Sequence, residues 1–251
     1  MKLNIHSIYI AVQNQVEHFV DLFTMSVFLL FFLVGVYAVF DIQQVQASGD
    51  LGQDIAELIP DKTEDSEIDL AALKAINPEI VGWIRIDNTK IDYPITQAKD
   101  NTKYLTRGYD GNYATLGGVF LDYRNNGFKD DFSIIYAHRV DGEKMFGQIL
   151  KFEDKTFFDT HKTGTLYTED GTYNLEISDF SVLNVDTTKV YAHDNNRNGH
   201  NASVVADIRS PALQSRNTEI SEKDKILVLS TCNKDSKHYR DVLLTKMTPR
   251  E

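Results

Sequence analysis

A single thiol is the first feature of this sequence that could do chemistry. Cys232, the only cysteine among 251 residues, ends a short run of apolar and β-branched residues, Lys225-Ile226-Leu227-Val228-Leu229-Ser230-Thr231-Cys232. The run is too short for a helix and predicts a buried strand, and the polar residues 233–237 predict its end. The thiol would then lie where a rigid strand meets a loop that can shape a pocket. A lone cysteine is also often a small buried hydrophobe, so both interpretations stay open here.

Two further residues have side chains that could work with a thiol. His138 ends a second predicted strand, Phe132-Ser133-Ile134-Ile135-Tyr136-Ala137-His138, although a histidine there could equally bind only backbone. Arg240 follows Cys232 after a polar stretch. A hairpin would bring Arg240 opposite Cys232, where a guanidinium stabilises a thiolate. A charge at an exposed strand edge is the alternative interpretation of Arg240.

Composition and charge narrow the classes of function. The chain is 42% hydrophobic and 25% charged, which excludes a wholly disordered or collagen-like protein. Its net charge is −11, with a pI of about 5.1 and no basic stripe, so we expect no nucleic-acid partner, since phosphate contacts need clustered Lys and Arg. No Cys/His cluster has zinc spacing, and no Asp/Asn-rich loop has the calcium pattern. The sequence therefore predicts neither a metal nor a cofactor.

An uncharged segment near the N-terminus predicts a membrane anchor. Leu22–Phe40 contains 19 residues without a charge, close to the roughly 20 residues that a membrane-spanning helix needs. A signal peptide cleaved after Val45-Gln46-Ala47 is the competitor. Its hydrophobic region would be only about 7–15 residues and would follow a basic segment. Because this segment is longer and the residues before it are not strongly basic, an uncleaved anchor is favoured.

The charges beside that segment predict its orientation and the domain organisation. Lys2 precedes the span, and the first Lys or Arg after it is Lys62, which favours the N-terminus inside the cell and the rest outside. We expect four parts: a cytoplasmic segment 1–21, a transmembrane anchor 22–40, an acidic stalk 41–66 and an extracellular domain 67–251. An unpaired thiol is a liability in an oxidising compartment. Keeping one there indicates either use or deep burial.

The remainder of the chain has mainly β character. Ser66-Glu67-Ile68-Asp69 fits a capping box for a short helix that must end before Pro78. Strands are predicted at Val81–Ile86, Ile91–Ile95, Gly117–Asp122, Phe132–Ala137, Thr165–Tyr167, Tyr173–Val185, Lys225–Cys232 and Asp241–Lys246, and helical stretches at Glu143–Phe152 and Ala202–Arg209. Many short strands separated by turns predict an all-β barrel or sandwich with helical additions.

The residues around the three candidates resemble the sortase family, the membrane-anchored cysteine transpeptidases of Gram-positive bacteria. The resemblance rests on Leu229-Ser230-Thr231-Cys232, on Arg240 and on Tyr136-Ala137-His138. Four more stretches resemble class B sortases in the same order: Asn77–Ile84, Ile91–Ile95, Asp100–Leu105 and Asp141–Phe146. Class B usually has Tyr-Gly-His where this chain has Ala137 in the middle.

This resemblance implies a fold and a set of roles. The fold would be mainly β, a closed sortase-type barrel of about eight strands with an N-terminal helix and helical insertions, preceded by one transmembrane helix. Cys232 would attack the scissile carbonyl of a sorting-signal peptide and form a thioacyl-enzyme, His138 would protonate the leaving amine, and Arg240 would stabilise the oxyanion. Other positions match residues that line the class B pocket: Asn101, Tyr136, Ser230 and Thr231.

The resemblance also implies partners. The donor would be a surface protein or pilin that bears a sorting signal, and the acceptor an amine. The departure at Ala137 favours an unusual branch of class B, and we expect the acceptor to be a pilin lysine and the function pilus polymerisation. Anchoring of surface proteins to the peptide of cell-wall peptidoglycan is the alternative within the family. A membrane-tethered module that binds the signal without catalysis is the alternative from another class.

Overall fold

The protein divides into two compact units, Met1–Ala47 and Ser48–Glu251. The computed structural model describes residues 5–47, 51–52, 55, 57–59, 67–140, 143–191, 201–232 and 238–250.

The first unit is one long helix, α1, Ile5–Ala47. The stretch Ile8–Gln43 is long and apolar enough to cross a membrane, and its large apolar side chains are exposed. At 1.5 Å per residue, the 43 residues of α1 extend about 65 Å, roughly twice the ~30 Å hydrocarbon core of a bilayer. The span predicted at 22–40 lies inside this helix, which also includes most of the predicted segment 1–21 and the start of the predicted stalk.

The second unit is built on one nine-stranded sheet. Its strands are β1 Ile80–Ile86, β2 Asp92–Thr96, β3 Val119–Leu121, β4 Phe132–Tyr136, β5 Thr163–Thr168, β6 Gly171–Asn184, β7 Ala212–Ser215, β8 Lys225–Cys232 and β9 Tyr239–Pro249. They are ordered β5-β1-β2-β3-β4-β8-β9-β6-β7, and β5 also pairs with β6. Eight strands therefore close into a barrel, and β7 extends from β6. This confirms the closed barrel of about eight strands that the resemblance implied.

Short helical elements decorate the barrel. They are α2 Leu70–Ile76, α3 Lys155–Thr160, α4 Asn201–Arg209 and two 3₁₀ turns, Lys103–Leu105 and Gly147–Glu153. The helical prediction at Ala202–Arg209 is confirmed as α4. The continuous helical stretch predicted over Glu143–Phe152 is wrong, because Glu143 and Met145 have φ of 70° and 50°, a left-handed backbone that cannot continue a right-handed helix.

The start of α2 also differs from the prediction. Asp69 is the N-cap, and its carboxylate accepts the backbone N–H of Ala72 at 2.9 Å. The predicted cap, Ser66, lies outside the described residues. A carboxylate is as good an N-cap as a hydroxyl, so the helix begins at Leu70, nearer to Pro78 than the capping box implied. It ends at Ile76, as the proline requires.

Part of the predicted stalk belongs to the second unit and packs within it. Ile55 is fully buried in a cluster with Leu73, Ile80 and Trp83, and the neighbouring apolar side chains Leu51, Leu58 and Ile59 pack against the same cluster. These four residues of the predicted stalk 41–66 therefore pack against α2 and β1 on one side of the barrel.

The strand that carries the thiol is buried on both faces. Leu227 and Leu229 belong to the cluster inside the barrel, whereas Ile226 and Val228 belong to a second cluster that is covered by α4. A strand with two buried faces has a continuous apolar run instead of alternation. This packing explains the run that ends at Cys232, and it makes β8 a rigid support for the thiol.

Candidate active site

Strand register brings the three candidate residues to the same end of neighbouring strands. Across β8 and β9, Cys232 is the Cα partner of Arg240. Across β4 and β8, which are parallel, Tyr136 is the partner of Ser230. His138 follows Tyr136 by two residues and Cys232 follows Ser230 by two residues, so both lie at the same end of the two strands. The Thr231 hydroxyl donates to the Ala137 carbonyl at 2.8 Å and continues the contact between the two strands. A thiol, an imidazole and a guanidinium therefore meet at one edge of the barrel.

All the predicted site residues line one cavity of about 310 Å³. It contains Cys232, His138, Arg240, Asn101, Tyr136, Ser230 and Thr231. Five further lining residues were not predicted: Leu105, Phe120, Ala137, Val185 and Tyr191. Cys232 is exposed, which excludes the interpretation of this cysteine as a buried hydrophobe. The cavity thus combines a reachable thiol with mostly apolar and aromatic surroundings.

A main-chain carbonyl orients the histidine. His138 Nε2 lies 2.9 Å from the carbonyl oxygen of Leu105. A carbonyl can only accept a hydrogen bond, so Nε2 carries the proton. In the neutral ring, Nδ1 is then the nitrogen that can take a proton. The sequence contained no signal for this contact, because any residue type has a carbonyl.

The turn that supplies this carbonyl is clamped by polar side chains. Tyr104 donates its hydroxyl to Glu79 Oε2 at 2.6 Å, and Asn77 Nδ2 donates to the Tyr104 oxygen at 2.8 Å. Lys103 Nζ lies 2.6 Å from the same carboxylate oxygen. Burial, and next the hydrogen bond to Glu79, raise the pKa of Tyr104, so the phenol stays a donor. The motifs Asn77-Pro78-Glu79 and Lys103-Tyr104-Leu105 thus act together to hold the turn beside His138.

One wall of the cavity is aromatic. The Tyr136 ring lies 5.4 Å from the Phe120 ring and 6.5 Å from the Tyr191 ring, between centroids. The Tyr191 hydroxyl is 2.7 Å from the Ser230 hydroxyl, and burial raises the pKa of Tyr191, which keeps the phenol neutral. Tyr191 was missed because it lies in a long connection before α4, where no spacing pattern connects it with the site.

Some of the predicted features fall on parts that the structure does not describe. Two such parts lie outside the described residues. One is the loop 233–237 between Cys232 and Arg240, and the other is residues 141–142, the start of the stretch Asp141–Phe146 that resembles class B sortases. Among the residues that are described, no group of three or more His, Cys, Asp or Glu side chains could hold a metal ion.

Comparisons with known proteins agree with this geometry. A family model of the sortase domain matches residues 84–248. Sortase B of Listeria monocytogenes is 34% identical over 186 residues, covering 72% of this chain and 75% of the relative. Sortase B of Staphylococcus aureus is 29% identical over 164 residues, covering 64% of this chain and 66% of the relative.

Solved structures give the same result. A Bacillus anthracis protein described as similar to sortase B has a TM-score of 0.68 and 32% identity, covering 84% of this chain and 98% of that one. A Streptococcus pyogenes class B sortase involved in pilus biogenesis has a TM-score of 0.65 and 28% identity, covering 72% and 98%. Because the matched domain includes most of the barrel and these relatives are sortase B or class B proteins, the chain belongs to the sortase family of cysteine transpeptidases, within class B.

Proposed function

We propose that Cys232, His138 and Arg240 carry out the transpeptidation of this chain on a sorting-signal peptide. The observation that carries the proposal is the exposed thiol of Cys232, which shares one cavity with the other two side chains. The register pairing of Cys232 with Arg240 supports it further. The rigid strand β8 keeps the thiol in place, so little ordering remains to be done when the peptide binds.

In the proposed reaction each residue has a separate task. The Cys232 thiol gives its proton to His138 and the sulfur attacks the scissile carbonyl carbon. The carbon–nitrogen bond then breaks as His138 passes that proton to the leaving amine. An incoming amine then attacks the thioacyl carbon and loses a proton to His138, and the carbon–sulfur bond breaks as His138 returns that proton to the Cys232 sulfur. Arg240 donates N–H groups to the oxyanion formed in both halves, and its planar fork suits that task.

We also propose a division of work among the four pocket residues. Asn101 and Tyr136 contact the peptide. Ser230 and Thr231 are buried, and their hydroxyls already bind Tyr191 and the Ala137 carbonyl. Their main contribution is therefore to shape the cavity and to hold β8 against β4.

The first test removes the nucleophile. We expect Cys232→Ala to abolish both cleavage of a sorting-signal peptide and transfer to an amine, with an unchanged circular dichroism spectrum. Because the chain has one cysteine, a thiol-reactive peptide analogue should label the wild-type protein and leave this variant unlabelled. Turnover that survives in the variant would overturn the role of Cys232. Wild-type protein that binds the peptide without turnover would indicate a binding module.

We propose a pilin lysine as the acceptor amine, and therefore pilus polymerisation. The similarity to a Streptococcus pyogenes class B sortase involved in pilus biogenesis supports this choice, as does the departure from the usual class B motif at Ala137. The enzyme should join candidate pilins into ladders on denaturing gels, and replacement of the acceptor lysine by arginine should stop them. Transfer only to peptidoglycan peptides would indicate cell-wall anchoring instead.

We propose further that α1 anchors the protein in the cell membrane, with the N-terminus inside and the catalytic domain outside. The length and apolar surface of α1 and the position of Lys2 support this orientation. A membrane-impermeant maleimide applied to intact cells should label Cys232, and the Cys232→Ala variant is the control. Labelling only after the cells are lysed would contradict the orientation.

A further inference from the structure

A buried carboxylate lies behind the candidate site. Asp122 follows β3 and is 0% exposed. Its Oδ1 accepts the backbone N–H of Arg124 at 2.9 Å and Arg124 Nε at 2.8 Å, and Oδ2 accepts Arg124 Nη2 at 2.5 Å. The Arg124 side chain is 5% exposed. The two charges therefore neutralise each other inside the protein, and the carboxylate is held ionised and fixed in place.

The same carboxylate reaches two residues that line the cavity, although it does not line the cavity itself. Oδ2 of Asp122 accepts the Tyr136 hydroxyl at 2.9 Å and Asn101 Nδ2 at 3.3 Å. These are the two pocket residues that we propose as peptide contacts. One buried group thus touches both of them from behind.

These contacts determine how the Asn101 amide is oriented. Asn101 Oδ1 accepts the backbone N–H of Tyr123 at 3.0 Å, while Nδ2 faces the Asp122 carboxylate, which can only accept. A flipped amide would place an oxygen against the carboxylate and an NH₂ group against an N–H. Asn101 is therefore held with one N–H committed to Asp122. Among the residues that the structure describes, its second N–H has no acceptor, so it can bind one on the peptide.

The orientation of Tyr136 follows in the same way. An ionised carboxylate can only accept, so the phenol must donate its proton to Asp122. Burial and next the negative charge of Asp122 raise the pKa of Tyr136, which keeps that proton on the phenol. The hydroxyl is thus committed to Asp122. The ring, which packs at a tilt beside Phe120, is the part of Tyr136 that is left for the cavity.

We propose that Asp122 is a positioning residue, which fixes the Asn101 amide and the Tyr136 ring so that they can bind the donor peptide. The proposal rests on the proposed function, since it requires that these two residues contact the peptide. Asp122 acts on the binding of the peptide and not on the chemistry at Cys232.

The test separates binding from chemistry. In Asp122→Asn the side chain keeps one accepting oxygen, and the other oxygen is replaced by an NH₂ group, which can only donate. The hydrogen bonds that the replaced oxygen accepted are therefore lost. We expect the KM for a sorting-signal peptide to rise about 10-fold, the size of a lost hydrogen bond to a charged group, while kcat stays within about twofold. The KM for the acceptor amine should not change. An unchanged peptide KM, or a loss confined to kcat, would overturn the proposal.

A second ion pair with a buried carboxylate supplies the matched control. Asp179 is 0% exposed, and its Oδ2 accepts Arg209 Nε at 3.0 Å and the Ser178 hydroxyl at 2.5 Å. Neither Asp179 nor Arg209 lines the cavity. Asp179→Asn should therefore lower the thermal midpoint of unfolding, as we also expect of Asp122→Asn, without raising the peptide KM. An equal rise in KM in both variants would mean that loss of stability alone causes it.

A double variant that lacks the Asn101 and Tyr136 contacts shows whether Asp122 acts through these two residues. In the double variant Asn101→Ala, Tyr136→Phe, both side-chain donors to Asp122 from the cavity are gone. Adding Asp122→Asn to that background should change the peptide KM by less than about twofold, because coupled residues are not additive. A further 10-fold rise would overturn the proposal. A double variant with the wild-type KM would overturn the proposed peptide contacts, and this inference with them.

A further variant keeps the ion pair intact in case Asp122→Asn does not fold. Asn101→Asp leaves Asp122 and Arg124 unchanged but turns the Nδ2 donor into an acceptor against the carboxylate. If Asp122 fixes residue 101, this variant should have a higher peptide KM than Asn101→Ala, which merely lacks the amide. A KM equal to or below that of Asn101→Ala would overturn the role of Asp122 and leave the proposed function standing.

Discussion

The cavity at Cys232 and a second cavity at Arg85 are lined by different parts of the barrel. The first has a volume of about 310 Å³ and is lined from β3, β4, β8 and β9, and from the segments between strands by Asn101, Leu105, Ala137, His138, Val185 and Tyr191. The second, of about 650 Å³, is lined from β1, β2, β5 and β6, the turn after β1 and Arg250. The larger cavity is thus not the one with the thiol.

The difference lies in how the polar groups of each cavity are used. In the second cavity Arg85 pairs with Asp92 at 3.1 Å, and Arg250 Nη2 donates to Asn174 Oδ1 at 2.7 Å and to Thr165 Oγ1 at 3.1 Å. These guanidiniums tie the wall of the barrel together. In the first cavity an exposed thiol lies opposite a guanidinium and near an imidazole. The chemistry of the lining therefore marks the site, and volume does not.

The largest effect should come from the guanidinium of the first cavity, Arg240, and not from that of the second, Arg250. We expect Arg240→Lys to lower kcat by about 10²–10³-fold, because lysine keeps the charge but loses the planar fork that serves an oxyanion. Arg250→Lys should leave turnover within about twofold. Steady-state assays with the same peptide and amine compare the two. Near-normal turnover of Arg240→Lys would contradict the oxyanion role and remove the distinction between the cavities.

A smaller effect should follow from a lost hydroxyl contact. Tyr191→Phe removes the partner of the Ser230 hydroxyl. A neutral hydrogen bond contributes about 0.5–1.5 kcal/mol, so we expect kcat/KM for the peptide to fall about two- to tenfold. Thr163→Val, which removes the 2.6 Å donor to Asp87 at the second cavity, is the control and should leave kcat/KM unchanged. Equal losses in both variants would show that the aromatic wall has no special part in binding.

The smallest effect concerns a single methyl group. Ala137 lines the site cavity, and Ala137→Gly restores the usual class B motif. We expect kcat/KM to stay within about threefold, with a stability loss of about 0.5–1 kcal/mol from the freer glycine backbone. The contrast is Gly164→Ala at the second cavity, where a Cβ would lie 2.5 Å from the Arg85 carbonyl oxygen. Thermal unfolding should show a larger loss for Gly164→Ala than for Ala137→Gly, and the reverse order would contradict this packing.

The sequence predicted most of the barrel because its strands have strong local patterns. The run that became β8 matches the predicted strand at both ends, since two buried faces make Ile226 to Leu229 a continuous apolar run. β7 was missed because Ala212–Ser215 alternates intermediate and exposed positions and is short. The 3₁₀ turn at Gly147–Glu153 was predicted as a longer helix because apolar spacing does not report a left-handed residue such as Met145.

The candidate site was predicted unevenly for a similar reason. Cys232, His138 and Arg240 could be predicted because their residue types alone indicate possible catalytic chemistry. The resemblance to the sortase family then assigned the three residues to one site. Leu105 contributes a carbonyl, Tyr191 comes from a connection without a pattern, and Asp122 lies behind the cavity. Their parts depend on long-range contacts, which no local spacing reports.

The sequence by itself determined which groups are available: one thiol, an apolar stretch long enough for a membrane helix, and strands that end on ionisable residues. These follow from residue type and short-range pattern. Only the tertiary structure decided that Cys232 is exposed, that the Leu105 carbonyl orients His138, and that a buried carboxylate joins Asn101 to Tyr136. The physical reason is that hydrogen bonds and exposure depend on distances between residues far apart in the chain, which exist only once the barrel has closed.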